Sequence, residues 1–200
     1  MTTRIKNLLH KIHDLEHELE DDFSERRRYW RYELKANRVK FEEGVRKHHR
    51  RVKQNILRYI RESSVRNSLT APLIYSVFLP MAILDAWFTV YQRICFPIYG
   101  IPLVRRRRYF AIDRHHLSYL NGIEKLNCVY CGYANGLVAY AREIAGRTEQ
   151  YWCPIKHSAH ILNSHRRYHL FVDYGDAQGY HDELPRLREA LDDSNDEHSA

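Results

Sequence analysis

Apolar residues fall at Ile5, Leu8, Ile12, Leu15 and Leu19, in steps of three and four that draw one narrow stripe along a helix. This is a short heptad seam. Beyond Leu19 the spacing lengthens to eleven, with Leu19, Trp30, Phe41 and Val52 in one series and Phe23, Leu34, Val45 and Ile56 in a second. An eleven-residue period holds a stripe on one face of a nearly straight, slightly right-handed helix. No Pro or Gly precedes Gly44. The pattern therefore predicts one helix from about residue 4 to about residue 62, roughly 85 to 90 Å long at 1.5 Å per residue. So thin a stripe needs a partner helix, from a second copy or from another protein. The alternatives are a single solvated helix and two helices broken near Gly44.

The pattern changes at Leu69. From there to Val104 only Asp85 and Arg93 are charged in 36 residues, and Thr70 to Gln92 is long enough to cross the roughly 30 Å hydrocarbon core of a bilayer. Lys53, Arg58, Arg61 and Arg66 precede the segment and Arg105 to Arg108 follow it. Basic flanks stay on the cytoplasmic side, and a single span satisfies only one of them. Pro72, Pro80, Pro97 and Pro102, with Asp85 near the middle, also disfavour a straight rod. Tyr75, Trp87, Phe88, Tyr91, Phe96, Tyr99, Tyr109 and Phe110 suit interfacial depth. The expectation is a membrane-inserted helical hairpin with both ends cytoplasmic. A true single span and a hairpin buried in a soluble core are the alternatives.

Chemistry concentrates after the Arg run. Cys128 and Cys131 form a C-x2-C knuckle, followed by Gly132 and by Asn135-Gly136 as turn residues, and Cys153 and His157 supply a second pair. Three thiolates and one imidazole make the closed tetrahedral set that structural zinc prefers. Pro154 suits the first position of a helix, which would make Cys153 its N-cap at the positive end of the dipole. His160 would then share a face with Cys153 and His157. Iron is the alternative metal. At most one of His115 and His116 would face a metal, with Asp113 a possible carboxylate or an N-cap for a helix through Leu117 and Leu120. Cys95, inside the apolar segment, reads as a small buried apolar residue.

Leu137, Val138, Tyr140, Ala141, Ile144 and Ala145 recur at helical spacing, so the metal would staple helices. No segment alternates clearly enough to read as a strand. The expected class is all-α, in four parts: 1–66 a long amphipathic helix, 67–108 the apolar segment, 109–181 a Cys/His metal-binding helical domain, and 182–200 a short helix fraying into an acidic tail.

Composition alone would hide this. Over 200 residues, a net charge of +7, 44% hydrophobic residues and a mean hydropathy of −0.61 describe a mildly basic soluble chain. They exclude a collagen, an acidic disordered chain and a polytopic membrane protein. Charge is segregated: residues 14–25 hold seven acids and no Lys or Arg, whereas 26–66 hold fifteen bases and four acids. A strip of net +11 seeks phosphates, in lipid headgroups or nucleic acid. Four cysteines are too few for a disulfide-built secreted fold, and no secretory signal opens the chain, so a reducing, cytosolic setting is expected.

The run D-R-H-H-L-S-Y-L-N-G-I-E-K-L-N-C-V-Y-C-G-Y-A-N-G, then A-R-E-I-A-G-R-T-E-Q-Y-W-C-P-I-K-H, resembles a family of small uncharacterised bacterial proteins of about this length. The resemblance covers Asp113 to His157. It implies that this block is the functional unit and brings no activity with it; with the basic flanks, it implies the cytoplasmic face of a bacterial inner membrane.

Gly-rich phosphate loops, Ser/His/Asp patterns and H-E-x-x-H are absent from the sequence. The first functional expectation is a membrane-associated, zinc-stabilised interaction or scaffold protein that binds anionic lipids, with a protein partner or itself on the N-terminal helix. The second is a membrane-surface metalloenzyme or redox protein with an open coordination position. Nucleic-acid binding through residues 26–66 ranks last, because that strip runs directly into the apolar segment.

Overall fold

The structure, a computed structural model, describes residues 3–29, 32–35, 38–41, 65–162 and 164–193. Its elements are α1 (Thr3–Tyr29), β1 (Tyr32–Lys35), β2 (Arg38–Phe41), α2 (Val65–Ser76), α3 (Phe78–Ile98), α4 (Gly122–Trp152) and α5 (Ala177–Asp193), with short 3-10 turns between. The described residues are mostly helical, as the all-α expectation requires, apart from the two short strands. The chain divides into two units, Met1–Ser68 with Ile112–Tyr130, and Leu69–Ala111 with Cys131–Ala200. The apolar segment and the later part of the Cys/His region thus belong together, and the four-part division does not describe this grouping.

In the first unit α1 ends at Tyr29, so the expected helix through residue 62 is corrected. Tyr-Glu-Leu-Lys and Arg-Val-Lys-Phe pair antiparallel, with Tyr32 opposite Phe41, Glu33 opposite Lys40, Leu34 opposite Val39 and Lys35 opposite Arg38. The physical reason lies in competing periods. Leu34 and Phe41 serve the eleven-residue series, but they also belong to a strict apolar–charged alternation on either side of a two-residue connection, which is a hairpin signal. Val45, Val52, Ile56 and most of the basic strip lie outside the described residues. Later in this unit Asn121 and Glu124 cap α4 reciprocally: Glu124 N–H donates to Asn121 Oδ1 at 3.0 Å, and Asn121 N–H to Glu124 Oε2 at 2.7 Å.

In the second unit α2 and α3 follow one another through Val77, which keeps helical dihedrals. Pro80 has no N–H to offer the Ser76 carbonyl, and the helix is interrupted at Val77 without the chain reversing. The expected apolar hairpin is therefore corrected: Leu69 to Ile98 is effectively one helix of 30 residues. The chain turns at Gly100, whose φ of +69° favours glycine. It then runs back along α3, where the Val104 N–H donates to Gln92 Oε1 at 2.9 Å.

Helix α4 lies along α3 in the same direction, since partners advance together on both. Phe78 packs on Tyr133, Gln92 hydrogen-bonds Tyr140, and Tyr99 packs on Tyr151. Phe96, Ile101, Val104, Leu137, Tyr140, Ile144 and Leu191 form the core. Helix α5 starts with Asp176 Oδ1 accepting the Gly179 N–H at 2.8 Å and buries Leu187 and Leu191. The short helix expected from Asp182 is thus part of a packed helix that begins at Ala177 and runs as far as Asp193.

Candidate functional site

Helix α3 is inside-out. Met81, Asp85, Phe88, Gln92 and Phe96 recur at helical spacing on the side facing the protein, while Leu79, Ile83, Trp87, Val90, Ile94 and Ile98 face away from it. Trp87 is 73% exposed and Ile98 71%, and Leu69 and Leu73 extend the exposed face onto α2. Among the exposed residues of α3 only Arg93 is charged. The helix is long and apolar enough to cross a membrane, and its most apolar stretch is not buried within the protein. The alternative of a hairpin hidden in a soluble core is therefore corrected as well. An exposed apolar face of this extent is what binding surfaces present.

The two polar residues turned inward with Met81, Phe88 and Phe96, namely Asp85 and Gln92, are both hydrogen-bonded. Arg106 donates to both Asp85 oxygens, Nε at 3.3 Å and Nη2 at 2.6 Å, and the Tyr133 hydroxyl donates to Asp85 Oδ2 at 3.0 Å. Arg106 also stacks its guanidinium 3.9 Å above the Phe110 ring. Gln92 Oε1 accepts from Val104, and its amide nitrogen faces the Tyr140 hydroxyl. A charge that the sequence places in the middle of an apolar run is thus neutralised by the first of the arginines that fold back past Arg105. No spacing rule links residues 85 and 106, so this pair was not legible beforehand.

Further along α4 from Tyr140, a second polar network begins at Glu143. Arg147 donates to Glu143 Oε1 at 2.8 Å and to the Pro102 carbonyl at 2.7 Å, and Arg167 reaches the same Glu143 oxygen at 3.0 Å and Gln150 Oε1 at 3.0 Å. Burial pushes the Glu143 carboxyl up, but Arg167 and Arg147 outweigh it and hold the group below its ordinary range. His165 Nε2 lies 2.9 Å from Glu149, and its ring lies against Gly146.

The four expected zinc ligands do not converge. Cys128 and Cys131 sit one turn apart on α4, not in a knuckle, so Gly132 and Gly136 are helical residues and not turn formers. Gly136 instead admits a close neighbour: a Cβ there would stand 2.9 Å from both the Tyr109 carbonyl oxygen and Phe110 Cδ1. Cys153 follows the last residue of the same helix. Twenty-two residues at 1.5 Å separate Cys131 from Cys153 by about 33 Å, whereas thiolates on one zinc lie within about 4 Å of each other. Cys153 N–H donates to the Glu149 carbonyl, at the C-terminal end of α4, so the expected N-cap and its dipole argument are corrected.

The other candidates are dispersed too. The His157 ring stacks on Tyr168, and the His157 backbone N–H donates to that hydroxyl at 2.7 Å; His160 is exposed. The His115 and His116 rings lie against each other at a tilt of 42°, with centroids 3.9 Å apart, and Asp113 precedes their 3-10 turn without a side-chain capping bond. Cys95 is half-buried on α3. Among the described residues no three His, Cys, Asp or Glu side chains are grouped to hold a metal ion.

No family model, curated protein or solved structure matches this chain.

Proposed function

We propose that the protein is a membrane-attached scaffold, which docks the exposed face of α2 and α3 in a lipid bilayer and presents its N-terminal helix for assembly. The inside-out arrangement of α3 carries the reading. A soluble helix turns apolar residues inward and polar ones to water; here Asp85 and Gln92 are turned inward and Ile83, Trp87 and Ile94 outward. Lipid is the environment in which that arrangement is favourable. The basic runs on either side of the segment support the cytoplasmic leaflet.

Helix α1 supplies the assembly half. Leu8, Ile12, Leu15 and Leu19 are about half exposed along one face. Ile5 and Ile12 take a positions and Leu8 and Leu15 d positions, the combination that favours two parallel strands. In that register Lys11 at g meets Glu16 at e of the other strand, so a second copy of this chain is the partner.

Flotation of the full chain with liposomes, followed by an alkaline carbonate wash, tests attachment. Co-flotation that survives the wash is expected; protein that stays at the bottom with every lipid mixture overturns the reading. Leu15→Glu is expected to halve the sedimenting mass in detergent, and an unchanged mass would remove the self-assembly half.

A further inference from the structure

Resting on that reading, we infer that α2 and α3 lie in the plane of an anionic bilayer and do not cross it, with Arg105 to Arg108 held at headgroup level by the Asp85–Arg106 fork. Length does not decide between the two placements, since the 21 residues of α3 reach about 31 Å, which matches a hydrocarbon core. What folds back alongside the helix decides it. Arg106 is bound to Asp85, about 10 Å from the start of α3 and about 20 Å from its end. If α3 crossed the bilayer, that level would be about 10 Å inside the hydrocarbon. Arg105, Arg107 and Arg108, all exposed, would be carried there with it.

Helix α4 adds a second constraint. Its side-by-side pairs with α3, Gln92 to Tyr140, Tyr91 to Thr148 and Tyr99 to Tyr151, put Arg142, Glu143, Arg147 and Glu149 at the depth of the second half of α3. The Glu143–Arg147–Arg167 network would then also lie within the hydrocarbon thickness, where ionisable groups are rare and costly.

Laid flat, the same molecule meets no such conflict. Ile83, Trp87, Val90 and Ile94 enter the acyl boundary, as an interfacial helix does, and the Glu143–Arg147–Arg167 network stays out of the hydrocarbon. The arginine run, pinned beside α3 on its protein side, lies where lipid phosphates are. Asp85 is in this account a positioning residue: it fixes one guanidinium of the run beside the helix and leaves the other three for headgroups.

Depth-dependent quenching by brominated lipids tests the orientation. The full chain with Trp30, Trp87 and Trp152 replaced by Phe receives a single Trp at position 79, 87 or 94, in vesicles of equal parts phosphatidylcholine and phosphatidylglycerol. Flat placement gives the same shallow depth at all three positions. Deepest quenching at 87, with shallower signals at 79 and 94, overturns it while leaving membrane attachment intact; failure of all vesicles to float the protein overturns attachment itself.

The lipid preference has its own arm. R105Q/R107Q/R108Q is expected to lose about 100-fold in affinity for the anionic vesicles and little for phosphatidylcholine alone. Equal wild-type binding to both vesicle types overturns the headgroup contact. Asp85→Asn is expected to reduce the anionic preference while keeping the helical circular dichroism and the shallow Trp87 depth; an unchanged preference removes Asp85 from the account.

Discussion

Arg106 reaches back over 21 residues of chain to lay two guanidinium nitrogens on the carboxylate of Asp85. The side chains differ in exposure, 46% for Arg106 and 15% for Asp85, and this makes the pair asymmetric. Asp85→Ala leaves a guanidinium that water can solvate, at a cost of about 1 kcal/mol. Arg106→Ala leaves a largely covered carboxylate that keeps the Tyr133 hydroxyl as a donor, at about 3 kcal/mol. Urea unfolding in detergent measures both, and a larger loss for Asp85→Ala would contradict the geometry.

Gly136→Ala sets two effects against each other. Alanine favours a helix by about 1 kcal/mol over glycine. The added Cβ would, however, meet the Tyr109 carbonyl oxygen at 2.9 Å, a backbone atom that cannot rotate aside. Overpacking of this kind costs about 1 to 3 kcal/mol. A net loss of stability by thermal unfolding is expected; a gain would mean that Gly136 is not a contact glycine.

Stability should depend on acid through Glu143. Its carboxyl is held below the ordinary range in the folded state, so its contribution is present above the unfolded value of about 4.3 and is lost as pH falls through the lower folded value. Glu143→Gln removes this pH dependence and leaves Arg147 and Arg167, both mostly covered, without their carboxylate, at about 3 kcal/mol near neutral pH. Unfolding free energies of both proteins between about pH 3 and pH 7 should converge towards low pH. Curves that stay parallel would exclude the network as the source.

The cysteines should behave independently. Cys131 and Cys153 are both exposed and stand about 33 Å apart along α4. Maleimide should label each in the native protein, and oxidation of the monomer should yield no Cys131–Cys153 bridge by peptide mapping, because a disulfide needs Cα atoms within about 7 Å. A single zinc lost on both Cys131→Ser and Cys153→Ser would show that α4 is not continuous.

How far the sequence could be read depends on the range of the interactions. The seam of α1 from Leu8 to Leu19 and the helical spacing from Leu137 to Ala145 were legible, because a helical period is written in neighbours three and four apart. The hairpin at Tyr32 to Phe41 was written there too, as a period of two, but a longer series of eleven sharing Leu34 and Phe41 hid it. C-x2-C and C-x3-H are local spacings compatible with a metal knuckle and equally with one turn of helix. Asn135 illustrates the difference: its amide donates to the Cys131 carbonyl at 2.8 Å, inside α4, where turn chemistry was expected.

By itself, the sequence determined that an apolar segment from Leu69 to Val104 lies between basic runs, since composition is a property of the local chain; that residues 69–98 form one helix and not a hairpin came from the structure. It also marked Asp85 as a charge near the middle of that segment. Which side of the helix meets the protein was decided only by tertiary structure, because Arg106, Val104, Tyr133 and Tyr140 must come from distant points of the chain to satisfy Asp85 and Gln92. The same packing separated the cysteines by the length of α4 and set charged groups beside α3. A hydropathy window counts the helix alone, and it is the charges of its neighbours that govern how the helix can meet a bilayer.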